Sequence, residues 1–202
     1  MEQPAQVRLE TPRLVVVMPR SDDAELVRRY HYENREHLRP WEPPRPPGFF
    51  TPEFWQWRLE QNLDEFSRDQ SLRLVLLPRE AEPTSIFGQI NFSRFNRGPS
   101  QSCLLGYSLD QHHQGKGYMT EALGAAIDFV FDRLGFHRVE ANYMPTNERS
   151  GRLLRRLGFA VEGYARDYLF INNAWRDHVL TARTNPDAPR PGVLANQAPP
   201  PG

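Results

Sequence analysis

One segment constrains this chain more than any other: Leu105-Gly-Tyr-Ser-Leu-Asp-Gln-His-His-Gln-Gly-Lys-Gly-Tyr-Met-Thr-Glu-Ala-Leu123. A short apolar strand enters a glycine-bearing turn, and the turn opens directly into an amphipathic helix. Gly115 and Gly117 carry no Cβ, so backbone N–H groups can crowd together there. The helix that follows aims the positive end of its dipole at the same place. Peptide nitrogens and dipole together suit a phosphate or pyrophosphate. A turn that merely joins a strand to a helix has the same look, and the glycines alone do not separate the two.

Spacing excludes two common phosphate loops. A P-loop requires G-x-x-x-x-G-K-[ST], but Lys116 is followed by Gly117 and position 110 is Asp. A dinucleotide fingerprint requires a further glycine where Thr120 stands. The line Gln114-Gly-Lys-Gly-Tyr-Met119 is a third kind of loop.

The rest of the composition bounds the partners. At 202 residues the chain makes one domain, read here as residues 8–184, with a Pro-rich disordered tail over residues 185–202. Its 25 basic and 25 acidic residues cancel to +0, which supports neither direct nucleic-acid binding nor a membrane-surface role. Cys103 is the one cysteine, so no internal disulfide forms. The N-terminus lacks a basic-then-apolar signal, and no apolar run approaches the ~20 residues that span a bilayer. A cytoplasmic protein is expected. His112 and His113 are adjacent, away from metal-ligand spacing, and no metal is expected.

Periodicity predicts the elements. Arg8–Met18 reads as one strand. Ser21 caps a helix to about His37. Pro40–Pro47 is a stiff polyproline-like loop. Thr51 and Pro52 open a second helix with Trp55, Leu59, Leu63 and Phe66 on one stripe. Strands at Leu72–Leu77, Ile86–Phe95 and Ser102–Leu109 form a meander, with turns at Glu80–Thr84 and Asn96–Ser100. The helix after the glycine loop places Leu123, Ala126, Ile127, Val130, Phe131 and Leu134 on one face and stops at Gly135. Val139–Met144 is a strand parallel to the one before it. Asn147 caps a basic helix ending at Gly158. Phe159–Ile171 and Trp175–Ala182 form a hairpin about Asn172-Asn173. The sum is an α+β sheet with helices packed on it.

In this order the pieces resemble the GNAT superfamily of N-acetyltransferases, whose cofactor loop reads [QR]-x-x-G-x-[GA]. Gln114-Gly-Lys-Gly-Tyr-Met119 matches it with Met at the last position, and Asn147-x-x-Ser150 and Leu157-Gly-Phe159 follow downstream. Glu33–Pro43, Ala141–Pro145, Arg149–Gly151, Glu162–Ala165 and Trp175–Ala182 are similar to the Rim branch, which acetylates the N-termini of ribosomal proteins. The resemblance covers about Arg8 to Thr184. It implies a mixed, mostly antiparallel central sheet, splayed between its two middle strands, with helices on both faces.

It also implies acetyl-CoA as co-substrate and a small-subunit ribosomal protein's N-terminal alanine as acceptor. The N–H groups of Gln114, Gly115, Lys116, Gly117, Tyr118, Met119 and Thr120 would hold the pyrophosphate. Tyr107, Ser108 and Leu109 would pair with the pantetheine arm, and an N–H near Leu109 would stabilise the oxyanion. Asn147 would bond a pantetheine amide, or serve only as a helix cap. Many superfamily members carry a tyrosine acid where this chain has Leu154; the resemblance to the Rim branch, where the serine of N-x-x-S is the substitute, implies Ser150 as the acid, with Tyr143 and Tyr164 as competitors. No base is identifiable. Asn142 stands where a related enzyme carries a glutamate, so that role does not transfer. Glu140, Glu162, Asp167 and Glu42 are the remaining carboxylates. Trp41, Glu42 and Asp167 are candidates for contacting the acceptor, since an aromatic and a carboxylate suit a cationic N-terminus. A small-molecule amine acceptor, or a non-catalytic acetyl-CoA-bound module, would keep the fold and change the use.

Overall fold

Four consecutive apolar residues, Leu14, Val15, Val16 and Val17, are all buried. Because strand side chains alternate, such a run needs apolar cover on both sides. A computed structural model of the chain, describing residues 7–79 and 84–188, supplies it. Leu14 and Val16 enter one core, while Val15 and Val17 enter another.

The strands are β1 (Arg8–Glu10), β2 (Leu14–Val17), β3 (Leu72–Pro78), β4 (Gly88–Asn96), β5 (Ser102–Leu109), β6 (Arg138–Tyr143), β7 (Ala160–Ile171) and β8 (Ala174–Thr184). The helices are α1 (Ala24–Glu33), α2 (Arg35–Leu38), α3 (Pro52–Ser67), α4 (Tyr118–Asp132) and α5 (Glu148–Arg156). The eight strands form one sheet in the order β1-β2-β3-β4-β5-β6-β8-β7. Every neighbouring pair is antiparallel except β5–β6, which is parallel. The apolar stripe of α4 closes one face against Leu74, Ile90 and Phe92, joined by Leu153 and Leu154 of α5. Val27 of α1 and Trp55 and Leu59 of α3 close the other against Val15, Val17 and Val75.

Two expectations are corrected. Arg8–Met18 is two antiparallel strands with a tight turn between them. Thr11 N donates to Leu14 O at 2.9 Å, and Leu14 N donates to Thr11 Oγ1 at 3.0 Å. Between them Pro12 has no N–H to give a ladder. Ser21 does not cap a long helix. Ser21–Asp23 form a 3₁₀ turn in which Asp23 Oδ2 accepts from Arg20 N at 2.8 Å. The helix then breaks at buried Asn34, whose side chain donates to Tyr30 O at 3.0 Å.

Elsewhere the expected elements hold. Thr51 Oγ1 accepts from Phe54 N at 3.3 Å, the predicted cap. Gly135, at φ +71°, ends α4, and Asn172 and Asn173, at φ +47° and +59°, turn the last hairpin. The stiff loop is helical only at Arg39–Trp41. The turn at Glu80–Thr84 lies largely outside the described residues. So does the tail from residue 189 on, while residues 185–188 make a turn in which Asn185 N donates to His137 O at 2.8 Å.

The functional gap comes from strand register. β5 and β6 pair only at Ser102–Arg138, Cys103–Val139 and Leu104–Glu140. β5 then follows β4 to Leu109, and β6 follows β8 to Tyr143, so the sheet opens between them. The β4–β5 approach is tight: a Cβ on Gly88 would lie 2.6 Å from Ser108 O. Gly88→Ala is therefore expected to cost about 1–3 kcal/mol of stability in a urea titration. An unchanged midpoint would contradict this close approach.

Candidate active site

The glycine turn is an open corner. Gly115 and Gly117 take φ +75° and +82°, which glycine adopts without strain. Gly117 is the N-cap of α4, and no side chain caps that end. The first N–H groups of α4 therefore lack intrahelical acceptors. A Cβ on Gly115 would meet nothing within 4 Å. Peptide nitrogens thus face free space at a helix N-terminus, which is what a diphosphate needs.

The corner is braced from three directions. Arg13, placed by the β1–β2 turn, donates from Nη1 to Lys116 O at 2.9 Å and from Nε to Glu121 Oε2 at 2.7 Å. Its guanidinium also lies 4.5 Å from the Tyr118 ring centre. Arg149 of α5 donates to Gln114 Oε1, and Gln114 Nε2 meets His37 Nε2 at 2.8 Å. Asn34 Oδ1 accepts from Gln111 N at 3.1 Å, which ties the α1–α2 break to the loop's entry. Asp110 accepts from His112 N at 2.8 Å and meets His113 Nδ1 at 2.7 Å. Burial would raise the Asp110 carboxyl, but these hydrogen bonds outweigh it and hold it below its ordinary value. His113, stacked 3.7 Å from Phe87, is thereby a structural residue.

The gap in the sheet leads from this corner into a cleft of about 550 Å³. Asp110 N donates to Phe87 O on the β4 side. Strand alternation therefore turns the N–H groups of Leu109 and Tyr107 toward the gap. Asn147, which lines the cleft, caps α5 by accepting from Ser150 N at 3.2 Å. Ser150 Oγ meets Tyr107 OH at 2.6 Å across the gap. Burial pushes Tyr107 up to about 12, so it stays protonated. Tyr143 packs so closely on α5 that a Cβ on Gly151 would lie 2.8 Å from its ring. Ser108 Oγ meets the buried Tyr30 OH at 2.9 Å.

Trp41 and Glu42 line the cleft, and Glu42 is held by Arg45 at 2.8 Å. Tyr107, Ser108, Tyr143, Asn147 and Ser150 are brought together with them. Other candidates are not. Glu140 sits in the paired part of β6 and accepts from Arg138 at 2.8 Å. Glu162 binds the same arginine. Asp167 lies in a bulge of β7, its N–H donated to Asp177 at 2.9 Å, and Tyr164 donates to that carboxylate too. Met119 is a core residue, so only its backbone is free for a ligand. Cys103 is buried and pushed up to about 12, an inert thiol. Sequence reasoning missed Arg13, His31 and the α3 wall of the cleft. Each arrives from a distant element, with no local motif to announce it.

Residues 13–160 match the family described as Acetyltransferase (GNAT) domain. The chain belongs to the GNAT acetyltransferase family. It is 50% identical over 183 residues to the [Ribosomal protein uS5]-alanine N-acetyltransferase of Escherichia coli, covering 90% of this chain and 92% of that protein. The crystal structure of ribosomal-protein-S5-alanine acetyltransferase from Vibrio fischeri superposes with a TM-score of 0.86 at 39% identity. That match covers 91% of this chain and 99% of the other. Mycobacterium smegmatis RimJ in complex with CoA-disulfide gives 0.79 at 28% identity, covering 90% and 88%. This GNAT chain is an acetyltransferase. Among the described residues no helix is long and apolar enough to cross a membrane.

Two outcomes are expected. Gly115→Asp fits the fold, because Asp tolerates positive φ and the space is open. It sets a carboxylate against the diphosphate, and CoA affinity measured by calorimetry should fall at least about tenfold, ~1.4 kcal/mol. Unchanged affinity would remove the corner as the phosphate site. The second concerns His31, buried against Tyr30, Phe49 and Trp55 and lining the cleft. Burial first, and the Arg45 charge second, lower it to about 3. Its folded value lies below its unfolded one, so its contribution is full above pH ~6.5 and is lost as pH falls toward 3. At pH 5 the loss is about 2 kcal/mol, and urea titrations of His31→Phe should show a flatter pH dependence over that window.

Proposed function

We propose that this acetyltransferase moves the acetyl group of acetyl-CoA directly to the N-terminal α-amine of a ribosomal protein in the cytoplasm, with alanine as the acceptor residue. One observation carries the reading: the sheet opens beside an uncapped helix N-terminus, and Tyr107 and Ser150 meet at 2.6 Å across the opening. The kinship to a uS5-alanine N-acetyltransferase supports the acceptor class.

The residues present fit the cofactor. N–H groups from Gln114 to Thr120 would hold its diphosphate, with Arg149 adding positive charge nearby, while the charge of Arg13 is balanced by Glu121. The free edge of β5 at Tyr107 and Leu109 would pair with the pantetheine amides as an added strand, and Asn147 would serve as both cap and amide partner. When bound, acetyl-CoA supplies an activated acetyl thioester. The Leu109 N–H then faces the carbonyl oxygen as it gains charge. Either hydroxyl of the Tyr107–Ser150 pair can donate to the other; with Tyr107 protonated and donating, the Ser150 hydrogen would be free to face the thioester sulfur and serve as the acid.

Proton removal from the amine is a mild demand. An α-amine of pKa ~7.8 is roughly a quarter neutral at cytosolic pH, whereas a lysine at ~10.4 is neutral about one time in a thousand. Among the described residues Glu42 is the one carboxylate lining the cleft, and Arg45 engages it. A site so poor in free base suits an α-amine. It also suits a polyamine badly, since three arginines (Arg45, Arg58 and Arg73) line the cleft against only two carboxylate partners, Glu42 and Glu65. The balanced net charge supports a protein acceptor without direct nucleic-acid contact.

Incubation with acetyl-CoA and a synthetic peptide beginning with alanine should add one acetyl group at the α-amine, located by fragment mass spectrometry. Acetylation of spermidine or of lysine side chains alone would overturn the proposal. Ser150→Ala and Tyr107→Phe should each lower kcat about 10–100-fold while the acetyl-CoA Kd stays within about twofold. The double variant should be no slower than the worse single, because the two hydroxyls act as one unit. An unchanged kcat in both single variants would pass the acid role to Tyr143 or water.

A further inference from the structure

The cleft does not end at the thioester corner. It continues beneath α3, over a floor laid out by strand register. Arg73 pairs with Asn91 and Asn91 with Gly106, while Val75 pairs with Gln89 and Gln89 with Ser108. Residues two apart share a face, so Arg73, Gln89, Asn91 and Ser108 all look toward α3. Gly106 leaves this floor open, since a Cβ there would have no atom within 4 Å. His31, Trp55 and Asn62 form the roof and line the same cleft.

Those three side chains are only 3%, 7% and 3% exposed. Each carries at least one polar atom without a partner. Asn62 Oδ1, Trp55 Nε1 and both ring nitrogens of His31 lack a hydrogen-bond partner. Gln89 approaches the His31 ring without reaching hydrogen-bond geometry. Buried polar groups are nearly always paired, and each exception is costly. Here the exceptions converge on one cleft. With Arg73 Nε on the floor, they comprise two donors (Trp55 and Arg73), an acceptor (Asn62) and a neutral imidazole offering one of each. That is the complement of a peptide main chain, which alternates N–H and C=O. The charges agree: Arg45 pairs with Glu42, and Arg58 and Arg73 share Glu65, so the cleft keeps a small positive excess that suits a neutral or acidic peptide better than a polycation.

We propose that the α3 side of the cleft is a subsite for the acceptor's main chain beyond its first residue, with Asn62 and Trp55 as its hydrogen-bonding residues. This rests on the α-amine reading above. Two acceptors test it in the full chain with saturating acetyl-CoA: a hexapeptide amide beginning with alanine, and alaninamide, which is too short to reach α3. In Asn62→Leu the hexapeptide KM should rise at least about tenfold, with kcat and the alaninamide KM within about twofold. The unfolding midpoint of the unliganded variant should equal or exceed that of the unaltered chain, because an unpaired buried acceptor has been removed. Trp55→Phe keeps an aromatic ring beside His31 and removes the N–H along with part of the indole, and should raise the hexapeptide KM about fivefold.

An unchanged hexapeptide KM in both variants, an equal rise for both acceptors, or a lowered midpoint in both would overturn the subsite. Failure of the α-amine reading is visible separately, since the unaltered chain would then acetylate neither alanine acceptor.

Discussion

The parallel contact between β5 and β6 lasts three residue pairs and then stops. The candidate site depends on that stop, because it opens the sheet beside the glycine corner. Antiparallel partners hold each strand on its outer side, so the two can part without either losing its place in the sheet. Parting exposes the N–H groups of Tyr107 and Leu109 inside the fold, where a strand edge would otherwise be paired or covered. An internal edge of this kind offers an extended amide chain the backbone partners that a neighbouring strand would otherwise supply, which is the role proposed for it toward the cofactor's arm.

The two cores hold the gap open from opposite sides. α4 packs on one face and fixes the glycine corner at its own N-terminus. α1 and α3 pack on the other and form a wall of the cleft. Long-range polar contacts lock the two assemblies together. Asn34 reaches the entry of the glycine loop, Tyr30 reaches Ser108, and Arg13 reaches Lys116 and Glu121. The glycine corner and the cleft therefore share a braced frame, which suits the direct transfer proposed for them.

Much of the fold could be read along the chain because its signals are local. The apolar stripe of α4, the Thr51-Pro52 start of α3, and Asn172-Asn173 each act within one or two turns of backbone. The errors have the same origin in reverse. Leu14–Val17 and Arg8–Glu10 read as one strand because both are extended, and only the Thr11–Leu14 hydrogen bonds reveal the turn. The break at Asn34 is decided by contacts to Tyr30 and Gln111, the latter in a segment remote in sequence. At the site, the glycine corner and Asn147 were legible from spacing. Glu140 and Asp167 looked equally eligible as carboxylates until Arg138 and the β7 bulge accounted for them.

What the amino-acid sequence determined alone was the backbone chemistry of the cofactor corner: two glycines, an uncapped helix start and a downstream Asn-capped helix, all set by local conformational preference. What only the tertiary structure decided was which side chains meet. Tyr107 and Ser150 are 43 residues apart, Arg13 and Glu121 108 apart, and they touch because sheet order and register bring them together. Register is a cooperative property of the whole sheet, so no single segment of the chain encodes it.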